Sequence, residues 1–303
     1  MRILFRRTPP IFILTCLLAL SVLFSSATAT SGPPARIVSM APSTTEILFA
    51  LGLGDKVIGV TRYCDYPEAA KNIAKVGGYV DPSYEAILAL KPDMVILLTS
   101  HQDAERELTK LKIPTLTIPH ETVSGIHEAI RRIGAACGVE EKAAAILDSL
   151  EQRTEAVRKA VKDRPKPRVL VCIGRDTESG QLVGMYFAGQ NGFYDEIIEM
   201  AGGVNAYQDA TVAYPQLSAE GVVQLNPDVI VDLASHINPE GKTATQIAAQ
   251  WDALRSVSAV RDKRIHVVVG NHALRPGPRY AEFLEELARL LHPECFAKEA
   301  ARE

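Results

Sequence analysis

Tyrosines, one arginine-bearing loop and a matched pair of glutamates carry most of the chemistry that this 303-residue sequence offers. Tyr63 and Tyr66 stand in TRYCDYP (61–67), Tyr79 in GGYVDP (77–82) and Tyr214 in VAYPQ (212–216). Tyr79 and Tyr214 each come just ahead of a helical pattern, at corresponding points of two similar stretches. Flat apolar faces with polar edges suit a large planar ligand; taken singly, a tyrosine before a helix also serves as a packing staple. The loop GNHALRPGPRY (270–280) adds His272 and Arg275 as polar contacts for a ligand. Arg279 is expected to be solvated in the first turn of the last helix. Glu85 and Glu220 each follow a serine by two residues. The dipole of a helix favours a carboxylate there, and one such acid per lobe also makes a two-point handle for a basic partner.

Other chemistries are poorly supplied. The seven histidines show no H-E-x-x-H or comparable ligand spacing, so no metal site is expected. No G-x-S-x-G elbow and no phosphate-binding G-x-x-x-x-G-K-[ST] occurs, and GLGDKV misses G-x-G-x-x-G at Val57. No catalytic residue and no catalytic cofactor is assigned. A secreted hydrolase stands as the alternative from a different class.

The elements that must position these residues alternate. RIVSM (36–40), VIGV (57–60), MVILL (94–98) and the run 115–118 read as buried strands, with helices from about 43, 83 and 102 between them. Ser43 and Glu46 have capping-box spacing. The stretch 122–162 has few breakers and helical apolar spacing, with Gly138 a potential interruption. RVLVCI then opens a second alternating half, with helices at 193–201, 243–254 and 278–291 and the strand IHVVV. SYEAILALKPDMVIL (83–97) and SAEGVVQLNPDVIVD (218–232) agree at five of fifteen positions, and TEILFALGLG (45–54) echoes DEIIEMAGGV (195–204). The fold expected is α/β: two similar lobes with parallel central sheets, joined by a long helix. The boundaries are 1–29 signal peptide, 30–121 first lobe, 122–164 helical linker and 165–303 second lobe.

An apolar fraction of 47% with 23% charged residues describes a globular chain, not a disordered one. Arg2, Arg6 and Arg7 precede an apolar run (11–24) and Ala27-Thr28-Ala29, the pattern of a secretory signal cleaved after Ala29. Thr15 and Ser21 interrupt the run, which falls short of the roughly 20 apolar residues of a membrane span. Lipid attachment at Cys16 or retention as an uncleaved anchor are the minor alternatives. Cleavage removes three arginines and takes the net charge from −3 to −6, which argues against a nucleic-acid partner. Cys64, Cys137, Cys172 and Cys295 then remain, with no C-x-x-C spacing and three conceivable pairings.

From RIVSMAPSTTEILFALGLGDKVIGVTRYCDYP to LRPGPRYAEFLEELA the chain resembles the helical-linker class of substrate-binding proteins that serve ABC importers of cobalamin, haem and ferric siderophores. SYEAILALKPDMVIL is the most family-specific segment. The resemblance implies a periplasmic or otherwise exported monomer that closes modestly on its ligand. It also implies a permease in the inner membrane as partner, with arginines that engage Glu85 and Glu220; the importer alone hydrolyses ATP. RYCDYP resembles the matching loop of cobalamin-binding members, which puts Tyr63 at a ligand-contacting tyrosine and Tyr79 and Tyr214 where those members have tryptophans. Leu98 replaces a further tryptophan, and NHALRP departs from an acidic loop. In haem-binding members an axial tyrosine falls near Tyr79, one residue further from the glutamate than here. Arg62, Arg175 and Arg275 keep a ferric siderophore open. The cargo expected is cobalamin or another corrinoid, with haem or a ferric siderophore as the alternative.

Overall fold

Runs of Val, Ile and Leu only a few residues long, with polar turns between them, can bury both faces of a sheet when helices cover it. In the computed structural model, which describes residues 32–234 and 241–300, four such runs make one parallel sheet. These are β1 (Ile37–Ser39), β2 (Val57–Val60), β3 (Met94–Leu98) and β4 (Thr115–Ile118), in the order β2-β1-β3-β4. Helices α1 (Pro42–Ala50), α2 (Tyr84–Ala89) and α3 (Gln102–Lys110) lie in the crossovers. The expected signal peptide, 1–29, lies outside the described residues. The capping box expected at Ser43 and Glu46 does not form. Ala41 is the N-cap, Pro42 opens α1, and the Glu46 side chain points into a buried ion pair instead of back to its own helix.

The stretch after β4 is two helices, α4 (Val123–Cys137) and α5 (Glu140–Val161), packed on each other. Gly138 separates them with φ +67°, a left-handed C-cap at which a side chain would be strained. At 22 residues α5 spans about 33 Å. Helix α4 packs on β4, and α5 packs on helices of the second half, so the linker belongs to both lobes.

The second sheet contains β5 (Arg168–Asp176), β6 (Val183–Phe187), β7 (Val204–Asn205), β8 (Gln216–Leu217), β9 (Val229–Ala234) and β10 (Ile265–Val269). Its order is β10-β9-β5-β6-β8, with β7 beside the start of β5. Strands β5, β9 and β10 are parallel as expected, but β6 runs antiparallel to both β5 and β8. The correction follows from connection length: a turn of six residues joins β5 to β6, and a parallel return needs a crossover of a dozen or more. Around this sheet lie α6 (Phe193–Met200), α7 (Ala219–Leu225), α8 (Ala244–Ala249), α9 (Ser258–Arg261), α10 (Asn271–Leu274), α11 (Tyr280–Leu291) and α12 (Pro293–Ala300). The helix expected at 243–254 keeps α-geometry only to Ala249, and the rest is a 3-10 turn.

The repeated segment is one device used twice. Ser83 and Ser218 cap α2 and α7 by accepting the amides of Ala86 and Gly221. Ile87 and Val222, at equal positions, are fully buried. Each shared Pro-Asp then locks the neighbouring strand. Asp93 accepts the amides of Ala35 and Arg36, while the Arg36 guanidinium donates to the carbonyls of Leu90 and Lys91 at the end of α2. Asp228 accepts the amide of Arg168, whose guanidinium donates to the carbonyls of Leu225 and Asn226 at the end of α7. An arginine at the start of the first strand of each lobe, Arg36 just before β1 and Arg168 at the head of β5, is thus part of the repeat.

One buried apolar cluster runs through both lobes and the helices between them. It joins Leu48 and Ile96 through Ile126, Ile130, Leu150 and Val157 to Val169, Ile197 and Leu287.

Candidate functional site

In a parallel sheet every strand ends on the same side, and the loops that leave those ends converge there. All four strands of the first lobe deliver lining residues to one cavity of about 420 Å³: Pro42 and Ser43 after β1, Tyr63 after β2, Leu98 from β3 and His120 after β4. Tyr79 enters from the loop that precedes α2. The second lobe supplies Tyr214 from ahead of β8, and Leu274, Arg275 and Pro276 from beyond β10. Four of the five residues singled out for ligand contact, Tyr63, Tyr79, Tyr214 and Arg275, therefore share one space. His272 does not line it: its Nε2 lies 2.9 Å from Glu286 Oε2, because α10 turns that side chain back towards α11.

Three larger concavities have another character; one of them, 510 Å³, lies between α4 and α5 among Arg131, Glu140, Leu147 and Asp148 and contains no aromatic residue. Of the other two, one of 580 Å³ lies among α4, α5 and α6, and one of 720 Å³ among Lys166, Asp262, Arg264 and Glu294. Both are lined by mixed charges and neither contains a Tyr, Phe or Trp, so the smaller cavity is the better match to a planar apolar ligand.

The tyrosines are held differently. Tyr79 packs its ring edge-on against His101, centroids 4.4 Å apart, and its hydroxyl lies 2.8 Å from Ser100 Oγ. Tyr63 and Tyr214 are about half exposed, and the Arg62 guanidinium lies 5.7 Å over the Tyr63 ring. The strap that bears Tyr214 passes directly over Gly189, whose amide donates to Ala213 O at 2.9 Å. A Cβ on Gly189 would sit 2.1 Å from Val212 O, so only glycine allows that approach. Burial, then the neighbouring Glu121 and Tyr79, raise the Tyr214 phenol above its ordinary value. It is a neutral hydroxyl in the physiological range.

Every arginine near the cavity is engaged. Arg275 pairs with Asp65, donates to Tyr63 O at 2.9 Å, and lies 3.6 Å from Glu46. Arg279, expected in solvent, makes a two-toothed pair with Glu46 at 2.7 and 2.9 Å and stacks 3.9 Å above the Tyr66 ring. The Glu46 side chain is 1% exposed. Neighbouring sequence gives no signal for this cross-lobe contact, 233 residues apart. Arg62 pairs with Asp81 at 2.6 Å. Arg175 is remote from the cavity, buried against Asp232 and the Trp251 ring. His120, also missed, lines the cavity; its Nδ1 is buried 3.4 Å from Glu121 without hydrogen-bond geometry. Burial, only partly opposed by Glu121, holds His120 below its ordinary pKa.

Glu85 and Glu220 occupy the same place in the first turns of α2 and α7 and are exposed. Neither forms an ion pair among the described residues. Hydrogen bonding to Ser218 lowers the Glu220 pKa. Among the described residues no cluster of three or more His, Cys, Asp or Glu could hold a metal ion, and the four described cysteines are unpaired. No helix among them is long and apolar enough to cross a membrane.

Two lobes of parallel-stranded α/β structure, fixed by a helical pair around an aromatic cleft, are the architecture of a solute-binding protein. Residues 37–268 match the model of the periplasmic binding protein family, and the chain belongs to that family. The family comprises substrate-binding components of transporters, not enzymes. The chain is 32% identical over 271 residues to an uncharacterised ABC transporter substrate-binding lipoprotein, YvrC, of Bacillus subtilis, covering 87% of this chain and 82% of that one. It is 32% identical over 215 residues to a vitamin B12-binding protein of Vibrio campbellii, covering 70% and 75%. The apo structure of a periplasmic haem-binding protein, RhuT, of Roseiflexus sp. RS-1 superposes with a TM-score of 0.73 at 27% identity, covering 86% of this chain and 98% of that one.

Proposed function

We propose that this chain captures a corrinoid in the cavity between its lobes and delivers it to the permease of an ABC importer, without catalysing any reaction. The observation that carries the reading is the convergence of Tyr63, Tyr79 and Tyr214 from two lobes around a space with apolar Leu98, Leu274 and Pro276. Aromatic faces bind a macrocycle by stacking. At about 420 Å³ the cavity is at the lower end of the ~300–1,000 Å³ of small-molecule pockets, so it would seat one face of a corrin ring and leave the rest outside. Arg275 is the polar contact in this reading, and His272 supports the loop through Glu286. Glu85 and Glu220 present carboxylates to basic residues of the permease. Residues 1–29 direct export and are removed after Ala29, and the exported chain acts as a monomer.

Haem is the second reading, favoured by His120, whose buried Nδ1 has no hydrogen-bond partner in a cavity that also holds Tyr79. Ferric siderophores lose support, because Arg62, Arg175 and Arg275 are each committed to a carboxylate.

Calorimetric titration of the mature, ligand-free chain with cyanocobalamin, haemin and a ferric siderophore tests these readings. Tight one-to-one binding of cyanocobalamin alone is the expected result. Tight haemin binding with silence towards cyanocobalamin would replace stacking by iron ligation at Tyr79. Silence towards all three would remove the proposed cargo.

A further inference from the structure

Among the described Asp, Glu, Lys and Arg side chains, one lines the cavity, Arg275, and its charge is already matched by carboxylates, so it meets a ligand as a polar but not a cationic contact. Its Nη1 faces Asp65 and, at 3.6 Å, Glu46; its Nη2 donates to Tyr63 O at 2.9 Å. The other Asp65 oxygen accepts from Asn271 Nδ2 at 2.8 Å, which pins the carboxylate in place. Glu46 is held in turn by two guanidinium nitrogens of Arg279, Nε and Nη2. The two carboxylates belong to the first lobe and the two arginines to the second, so the cluster is neutral and closes one wall of the cavity.

We infer that Glu46 and Asp65 are specificity-determining residues: by engaging Arg275 and Arg279 they leave the cavity without an available cation, and so exclude chelates of net negative charge. The inference rests on the cargo-binding reading of this cavity and deepens it to a class of ligand, a macrocyclic chelate with no net negative charge. An anionic group brought against Arg275 would have to displace a carboxylate already there, or lie beside it. Like charges juxtaposed in a partly desolvated site repel strongly, and discrimination against a competitor is commonly built from such repulsion. Arg62 does not change this balance, because it pairs with Asp81 at the half-exposed rim.

The test compares the full mature chain with Asp65→Asn and Glu46→Gln, titrating each with cyanocobalamin, which has no net charge, and with an anionic ferric tris-catecholate. The wild-type chain is expected to prefer cyanocobalamin. In Asp65→Asn the ratio of the two dissociation constants should move by roughly tenfold or more towards the anionic complex, and in Glu46→Gln in the same direction. A wholly structural role would weaken both ligands in parallel, and an unchanged ratio in a folded variant overturns the inference. Asp65 is the more exposed of the two carboxylates, so its variant serves if Glu46→Gln does not fold. Wild-type preference for the anionic complex, or silence towards both, overturns the cargo reading itself and this inference with it. The wild-type and variant arms therefore separate the two failures.

Discussion

Glu46 and Arg279 join the lobes through a two-toothed ion pair, 2.9 Å from Nε to Oε2 and 2.7 Å from Nη2 to Oε1. The pair has a counterpart. Glu196 occupies the place of Glu46 in the second-lobe echo, and its Oε2 accepts the amide of Val123 at 2.6 Å, at the first turn of α4. Equivalent glutamates thus reach out of their own lobes at two points, one beside the cavity and one at the linker.

Arg279→Leu should destabilise the protein by about 3 kcal/mol. Breaking a buried pair by removing one partner costs about 3–5 kcal/mol, and Arg275 at 3.6 Å relieves part of the charge left on Glu46. Urea unfolding followed by circular dichroism measures this. A change under about 1 kcal/mol would mean that water reaches Glu46 freely.

Tyr79→Ala and Tyr214→Ala should each weaken corrinoid binding by about 1–3 kcal/mol, the worth of a well-used aromatic face. Tyr79→Phe should cost less, since it keeps the ring and loses only the hydroxyl contact with Ser100. Calorimetry on the three variants separates stacking from iron ligation, which Phe cannot replace. An unaltered affinity in Tyr214→Ala would remove that residue from the site.

Charge reversal at Glu85 and Glu220 together should abolish stimulation of the importer's ATPase and leave cargo affinity intact. Both side chains are exposed in the first turns of their helices, away from the cavity lining. Reconstituted importer with wild-type and reversed protein provides the assay; loss of cargo binding instead would contradict a docking role.

Stability should decline as pH falls below about 6.5. His101, His120, His127 and His266 are all held below that ordinary value by burial, with the charge of His120 adding at His101 and Glu121 opposing at His120. The unfolded chain gains these protons first, so the native state loses ground on acidification. At Asp65, burial acts upwards, but the hydrogen bond and charge of Arg275 prevail and lower the pKa from 3.8, so that contribution holds to more acid pH. Thermal scans should show a lower Tm at pH 5 than at pH 7, by about 2 °C per kcal/mol lost. A flat Tm across this interval would show that these imidazoles protonate without cost.

Much of this architecture was legible in the chain, and the part that was not has a physical cause. VIGV and MVILL coincide with β2 and β3 because a largely buried strand must be apolar, and IHVVV marks β10, a partly buried edge strand, by its run of valines. Strands β6 and β8 escaped because one face of each remains wet and their residues carry no such run; Val183 and Tyr186 are exposed. The helix–strand repeat announced itself by spacing, yet its arginine fasteners, Arg36 and Arg168, stand about 50 residues away from it in sequence. Tyr63, Tyr79 and Tyr214 could be found because each loop follows or precedes a recognisable element. The commitments of Glu46 and Arg279 could not, since pairing across 233 residues leaves no local trace.

The hydroxyl of Tyr280 has one further consequence. It lies 2.9 Å from His127 Nε2 on α4 and 3.2 Å from Thr154 Oγ1 on α5, while Arg153 clasps Glu285 one turn further along α11. Three helices, the two of the linker and one of the second lobe, are thus riveted at one point. A brace of that kind works against a wide swing of one lobe from the other.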